Sequence, residues 1–175
     1  MEKNKKLNGN SRLASVPEPD GKGVRKTPYR LFTAPLKFLR HPPTEQRLFL
    51  EALFWLALSR LAILTIPFRR IAPFLGKTMV ETSSDFLVLD LPIQISWAVR
   101  TASRYTPWES KCLAQAMAAK IMLKRRRFPS TLYLGLLKEG EKGLSAHAWL
   151  RCGDRILTGA PVHRQFKVVA AFGDR

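Results

Sequence analysis

Two stretches of this chain carry residues that could do chemistry together. In Pro107-Trp108-Glu109-Ser110-Lys111-Cys112-Leu113-Ala114-Gln115-Ala116 a cysteine stands at or near the start of a strongly helical run. The run continues through Met117, Ala118, Ala119, Ile121, Met122 and Leu123 and closes on Lys124 to Arg127. Further on, Ala146-His147-Ala148-Trp149 sets a histidine inside an alternating segment. A thiol at a helix start and an imidazole on a strand are the two parts a cysteine hydrolase needs. The partial positive charge at a helix start favours a thiolate, and the imidazole takes and returns a proton. A lone cysteine is more often a small buried hydrophobe, so the elements around Cys112 must decide.

Two helix starts compete there. Thr106-Pro107-Trp108-Glu109 has the form of a capping box with proline at the first helical position, which places Cys112 almost two turns in. Ser110 as N-cap makes Cys112 the second helical residue and leaves its sulfur near free backbone N–H groups. The chemistry favours the second.

After Phe128-Pro129 the periodicity changes to alternation. Ser130 to Leu137 and Leu144 to Cys152 read as strands around a charged loop, and Gly153-Asp154 suits a two-residue hairpin turn. Arg155 to Gly159 returns antiparallel, and Phe166 to Phe172 makes a last strand. Regular pairing sets Cys152 against Arg155, Trp149 against Thr158 and His147 against Ala160. His147, Trp149 and Thr158 then share a face, with Cys152 on the other as a structural residue. A catalytic imidazole usually has an oxygen acceptor on its second nitrogen. Asp154, at the hairpin tip, lies well over about 10 Å from His147 at about 3.3 Å per residue. Thr158 is diagonal to His147 and within reach. Three arrangements stay open: a hydroxyl or carbonyl orients the ring, an acid such as Asp85 or Asp90 arrives from elsewhere, or the pair works as a dyad.

The rest of the chain must position that pair. At 175 residues it is one domain with an appended tail. Apolar residues make up 46%, with ten Phe and four Trp, ample for a core. Residues 1–27 are rich in Lys, Asn, Gly and Pro and read as a disordered basic tail. Residues 28–105 read as a helical region serving as core or docking face. Thr44 is the expected N-cap of a helix whose run Leu48 to Ile66 is nearly all apolar, stopped by Pro67. A membrane span needs roughly 20 apolar residues with few charges; Glu51 and Arg60 argue for a buried or partner-facing helix instead. Phe68 to Gly76 reads as a short amphipathic helix, Phe86 to Leu89 as a short β-type run, and Asp90 as the cap of a helix reaching Tyr105.

A net charge of +17 implies an acidic partner or surface, including peripheral contact with a membrane. Nucleic acid is not expected, since the basic residues are spread along the chain without an RNA-reading motif. Two cysteines without regular spacing fit a reducing compartment, and the N-terminus lacks the apolar core of a secretory signal, so the expected location is the cytoplasm. No metal-ligand spacing or glycine-rich phosphate loop is present, so neither a metal nor another cofactor is expected.

The combination of Pro107-Trp108, Cys112-Leu113-Ala114-Gln115-Ala116, Leu123-Lys124-Arg125-Arg126 with Pro129, Leu134-Gly135 and Ala146-His147-Ala148-Trp149-Leu150 resembles a known family. It is that of the lasso-peptide leader peptidases, transglutaminase-like cysteine proteases, in the form that stands apart from its leader-binding partner. The likeness runs from about residue 40 to the C-terminus. It implies an α+β fold of the papain/transglutaminase type, with N-terminal helices and a catalytic helix on a small antiparallel sheet, the catalytic part being residues 106–175. It implies Cys112 as nucleophile and His147 as general base and acid. Family members usually carry an Asp on the following strand, where this chain has Thr158 or Gly159. Trp108 and Trp149 are candidate walls of the substrate cleft, and the Cys112 backbone N–H and Trp108 indole N–H are candidate oxyanion donors. The implied activity is removal of the leader from a ribosomally made precursor peptide. A PqqD-like leader-binding protein would present the precursor, and an asparagine-synthetase-like cyclase would take the product. The alternative is a scaffold of the same fold that hands the precursor to the cyclase without turnover.

Overall fold

Proline opens the first helix, because its fixed φ suits a first turn whose N–H has no intrahelical partner. In the computed structural model, which describes residues 42–83, 90–138 and 143–174, Pro42 is the N-cap of α1, Pro43–Thr65. No side chain caps this helix; Thr44 lies inside the first turn rather than at the cap. Along α1, Leu48, Ala52, Leu56 and Ser59 are buried at helical spacing, while Leu50, Phe54, Leu58, Leu61 and Leu64 are exposed on another side. The helix is long and apolar enough to cross a membrane by length and composition. Its buried stripe packs into the core, and Glu51 receives two hydrogen bonds from Arg126, at 3.1 and 2.6 Å. Those bonds hold the Glu51 carboxyl below its usual pKa.

Pro67 ends the run as expected, and α2 follows at Phe68–Leu75. A two-residue strand, β1 (Lys77–Thr78), leads out of it, and α3 spans Asp90–Tyr105. The basic tail, the run Phe86 to Leu89 and most of the charged loop after Lys138 lie outside the described residues. The central helix, α4, is Cys112–Lys124. Its alanines at 114, 116, 118 and 119 are all buried. Small side chains let α1, α3 and the sheet approach it on several sides at once.

The sheet comprises β1, β2 (Thr131–Lys138), β3 (Leu144–Cys152), β4 (Arg155–Thr158) and β5 (Lys167–Gly173), in the order β1-β5-β2-β3-β4. Every pairing is antiparallel. The molecule is therefore α+β, with four helices packed on a small antiparallel sheet among the described residues. Side chains alternate between the faces. Leu132, Ala148, Leu150, Cys152 and Phe172 join the helices in the main core; each large one buried there contributes about 1.5–3 kcal/mol. Tyr133, Trp149 and Ala171 form a second cluster with Ile156 and Phe166 on the other face.

The β3–β4 hairpin departs from regular pairing. Cys152 does face Arg155, but Leu150 pairs with Thr158 and Arg151 with Ile156, so Leu157 is an extra residue on β4. Such a bulge turns every residue beyond it to the other face. Thr158 consequently sits opposite Leu150, not Trp149, and leaves the face that carries His147.

Candidate active site

Loop 106–111 delivers the chain to α4, and its hydrogen bonds replace both expected caps. The buried Thr106 hydroxyl lies 3.0 Å from the carbonyls of Ser103 and Trp108 and 2.9 Å from the Ser110 hydroxyl. Thr106 and Ser110 thus engage each other and the loop, and the N-cap is Lys111, with no side-chain bond to the helix. Gln115 reaches back to the Ser110 carbonyl at 2.8 Å. Cys112 becomes the first helical residue, half-buried, with a free thiol. An uncapped helix start leaves backbone donors unsatisfied, and here those of Cys112, Leu113 and Ala114 adjoin a cleft that these residues line.

That cleft encloses about 440 Å³. Cys112 and His147 both line it, with Phe68 and Ile71 of α2 and Leu134 and Leu136 of β2 among its apolar walls. Arg60 and Lys111 are the cations in its lining. His147 lies opposite Gly135, on a part of β3 that β4 no longer covers. Its ring stands 6.0 Å from that of Trp149 and 5.1 Å from that of Phe166. Among the described residues no hydrogen bond joins His147 to Cys112: both border the cleft, but the imidazole packs with Trp149 and Phe166 on the sheet face turned away from α4.

The second nitrogen has a partner. His147 Nε2 lies 3.0 Å from the Gly159 carbonyl oxygen. A carbonyl only accepts, so Nε2 carries the proton and Nδ1 is the basic nitrogen. Gly159 has φ 75°, and a Cβ there would come within 2.9 Å of His147 Nε2 and 2.7 Å of the Ala148 carbonyl. Only glycine allows that approach. Of the three arrangements open in the sequence, the structure contains the carbonyl. Thr158 does not orient the ring: its hydroxyl is buried and has no hydrogen-bond partner among the described residues. Asp154 stays at the hairpin tip, 4.0 Å from Arg155. Asp90 begins α3, and Asp85 lies outside the described residues. The Thr158-Gly159 pair was the available signal, but the bulge that brings its carbonyl to His147 leaves no mark in the alternation.

Neither tryptophan lines the cleft. Trp149 is buried behind the imidazole, stacked on Tyr133 with ring centres 5.5 Å apart. Trp108 is half-buried, and its indole N–H is buried without a partner among the described residues. Cys152 is fully buried on β3, and burial pushes its thiol up to about 11. It is a core residue.

The arrangement fits one family. This chain belongs to the transglutaminase-like superfamily, whose family model matches residues 57–171, a span that holds both Cys112 and His147. That superfamily includes cysteine peptidases. No curated protein and no solved structure gives a significant match to the chain.

Proposed function

We propose that the chain is a cysteine peptidase that removes the leader from a ribosomally made lasso-peptide precursor. The observation that carries the reading is that Cys112, the first residue of an uncapped helix, and His147, whose ring a carbonyl holds, both belong to the lining of one apolar cavity. The reading also draws on the sequence resemblance to lasso leader peptidases.

The chemistry follows from these parts. His147 Nδ1 accepts the Cys112 thiol proton as the sulfur attacks the scissile carbonyl. The Cys112 N–H at the open helix start donates to the developing oxyanion. His147 returns the proton to the departing amine, which leaves as the free N-terminus of the core peptide. Water, activated by the same Nδ1, then hydrolyses the thioester and frees the leader. In this reading a PqqD-like protein presents the leader and a cyclase consumes the amine.

The test is cleavage of a synthetic precursor by purified protein plus the leader-binding partner, read by mass spectrometry. Wild-type protein releases leader and core, and His147→Ala lowers the rate by about 100-fold or more. Leader removal that survives in His147→Ala at the wild-type rate overturns the role given to the imidazole. The absence of a Cys112–His147 hydrogen bond favours a second reading, a scaffold that presents the precursor. That reading gains if wild-type protein leaves the precursor intact yet accelerates its cyclisation.

A further inference from the structure

α4 ends in a backbone arrangement that glycine usually completes. The Phe128 N–H donates to the Leu123 carbonyl at 3.1 Å, and the Arg127 N–H to that of Lys124 at 3.0 Å. Leu123 and Phe128 pack in the same core. These are the two bonds and the apolar contact of a Schellman motif. The residue at its left-handed position is Arg127, at φ 61°. Glycine is favoured there because a Cβ is disfavoured at such φ values. The chain therefore keeps a side chain where having none is more stable.

Arg127 lines a groove of about 600 Å³ together with Lys77, Lys124, Phe128 and Pro129. The carboxylate in the lining, Asp174, is matched already. It lies 2.9 Å from Lys120 Nζ and accepts from the Ser130 N–H and hydroxyl, both at 3.2 Å. Among the described residues no carboxylate pairs with Lys77, Lys124 or Arg127. Cations at a helix carboxyl end complement its dipole, but Lys124 and Arg125 do that without a strained backbone. Favourable dipole contact does not account for arginine at a glycine position.

The groove is also close to the cleft. Phe68 and Ile71 of α2 line the Cys112 cavity, while Pro73 of α2 and the adjoining Gly76 line the groove. Cys112 and Lys124 stand at opposite ends of α4, whose 13 residues span about 18 Å, the reach of about five or six extended residues. We propose that this groove binds carboxylate side chains of the peptide whose scissile bond lies in the Cys112 cleft, an acidic run about six residues from that bond. The assignment of the peptide as substrate rests on the peptidase reading; the preference for carboxylates does not.

The experiment uses the full chain with Cys112→Ala, so that nothing is cut. It is titrated with a fluorescent peptide carrying a run of glutamates and with its glutamine counterpart. The glutamate peptide binds about tenfold tighter, and the gap narrows at high salt. Arg127→Gly reduces glutamate-peptide affinity about fivefold or more while its unfolding temperature stays level or rises. Lys77→Gln combined with Lys124→Gln reduces it in the same direction. Equal affinity for the two peptides overturns the proposal. So does an Arg127→Gly protein that loses stability and binds like the parent, since Arg127 then serves the helix end alone. Displacement of the peptide by anionic phospholipid vesicles at matched charge, abolished by Arg127→Gly, overturns the peptide in favour of a lipid headgroup. Glutamate-selective binding by a wild-type protein that never cleaves leaves the groove standing and removes the peptidase reading; cleavage without selectivity does the reverse.

Discussion

The two ends of α4 are finished in opposite ways. At the amino end Lys111 occupies the cap position without a side-chain bond, and Cys112 opens the helix into an apolar cleft. At the carboxyl end two backbone bonds close the last turn, and Lys120 is anchored to Ser130 and Asp174 a turn earlier. A terminus that serves stability satisfies its polar groups locally. One that serves chemistry leaves donors for an atom of the substrate. The cysteines repeat the contrast: Cys112 is half-buried at the open end, and Cys152 is sealed in the core.

The largest expected effect separates those cysteines. If the chain is the proposed leader peptidase, Cys112→Ala lowers the rate of leader removal about 1000-fold or more, while Cys152→Ala leaves it within about threefold, both followed by mass spectrometry. Equal losses in the two variants would erase the distinction.

Next is the closed end. Lys120→Met strips the buried partner from Asp174 and removes about 3 kcal/mol of unfolding free energy in urea titration. Burial holds the Lys120 ammonium below its usual pKa, and the Asp174 contact works in the opposite direction. A loss under about 1 kcal/mol would mean that this end is held by the backbone bonds alone.

Gly159→Ala probes the support of the open end. The added methyl meets His147 Nε2, the Ala148 carbonyl and Trp149 Cβ, all within 2.9 Å. Displacing the ring lowers kcat/KM about 10- to 100-fold, with the native fold checked by circular dichroism. Wild-type kinetics in this variant would show that the carbonyl contact does not position the imidazole.

The smallest effect is in pH. The folded-state pKa of Cys152 lies above its ordinary 9.0, at about 11, because burial disfavours the thiolate. Its contribution to stability is therefore complete below pH 9.0 and lost as pH rises toward 11. Wild-type protein loses up to about 2 kcal/mol more than Cys152→Ala across that window. Parallel stability curves would place Cys152 in contact with solvent.

Much of this contrast was legible in the chain. Alternation located β3 at Leu144–Cys152 and the Gly153-Asp154 turn, and the alanine-rich run located α4. The start of α4 was less so, because Thr106 and Ser110 both have the chemistry of a cap. They bond to each other instead, a choice set by the loop's path. The partner of His147 was hidden for a different reason. Counting residues back from a turn presumes an unbroken ladder, and the extra residue Leu157 moves Thr158 away and admits Gly159. Arg127 offers no local signal at all, since a cation after a helix is ordinary until its φ is known.

The central claim is that the Cys112 sulfur becomes covalently joined to the peptide. Acid quenching of a single turnover with precursor, followed by intact mass measurement and peptide mapping at acid pH, tests it directly. The expected result is an adduct equal to the leader less one water on the peptide that holds Cys112, absent from Cys112→Ala. Leader removed at the wild-type rate by Cys112→Ala, with no adduct on the wild-type thiol, would contradict it.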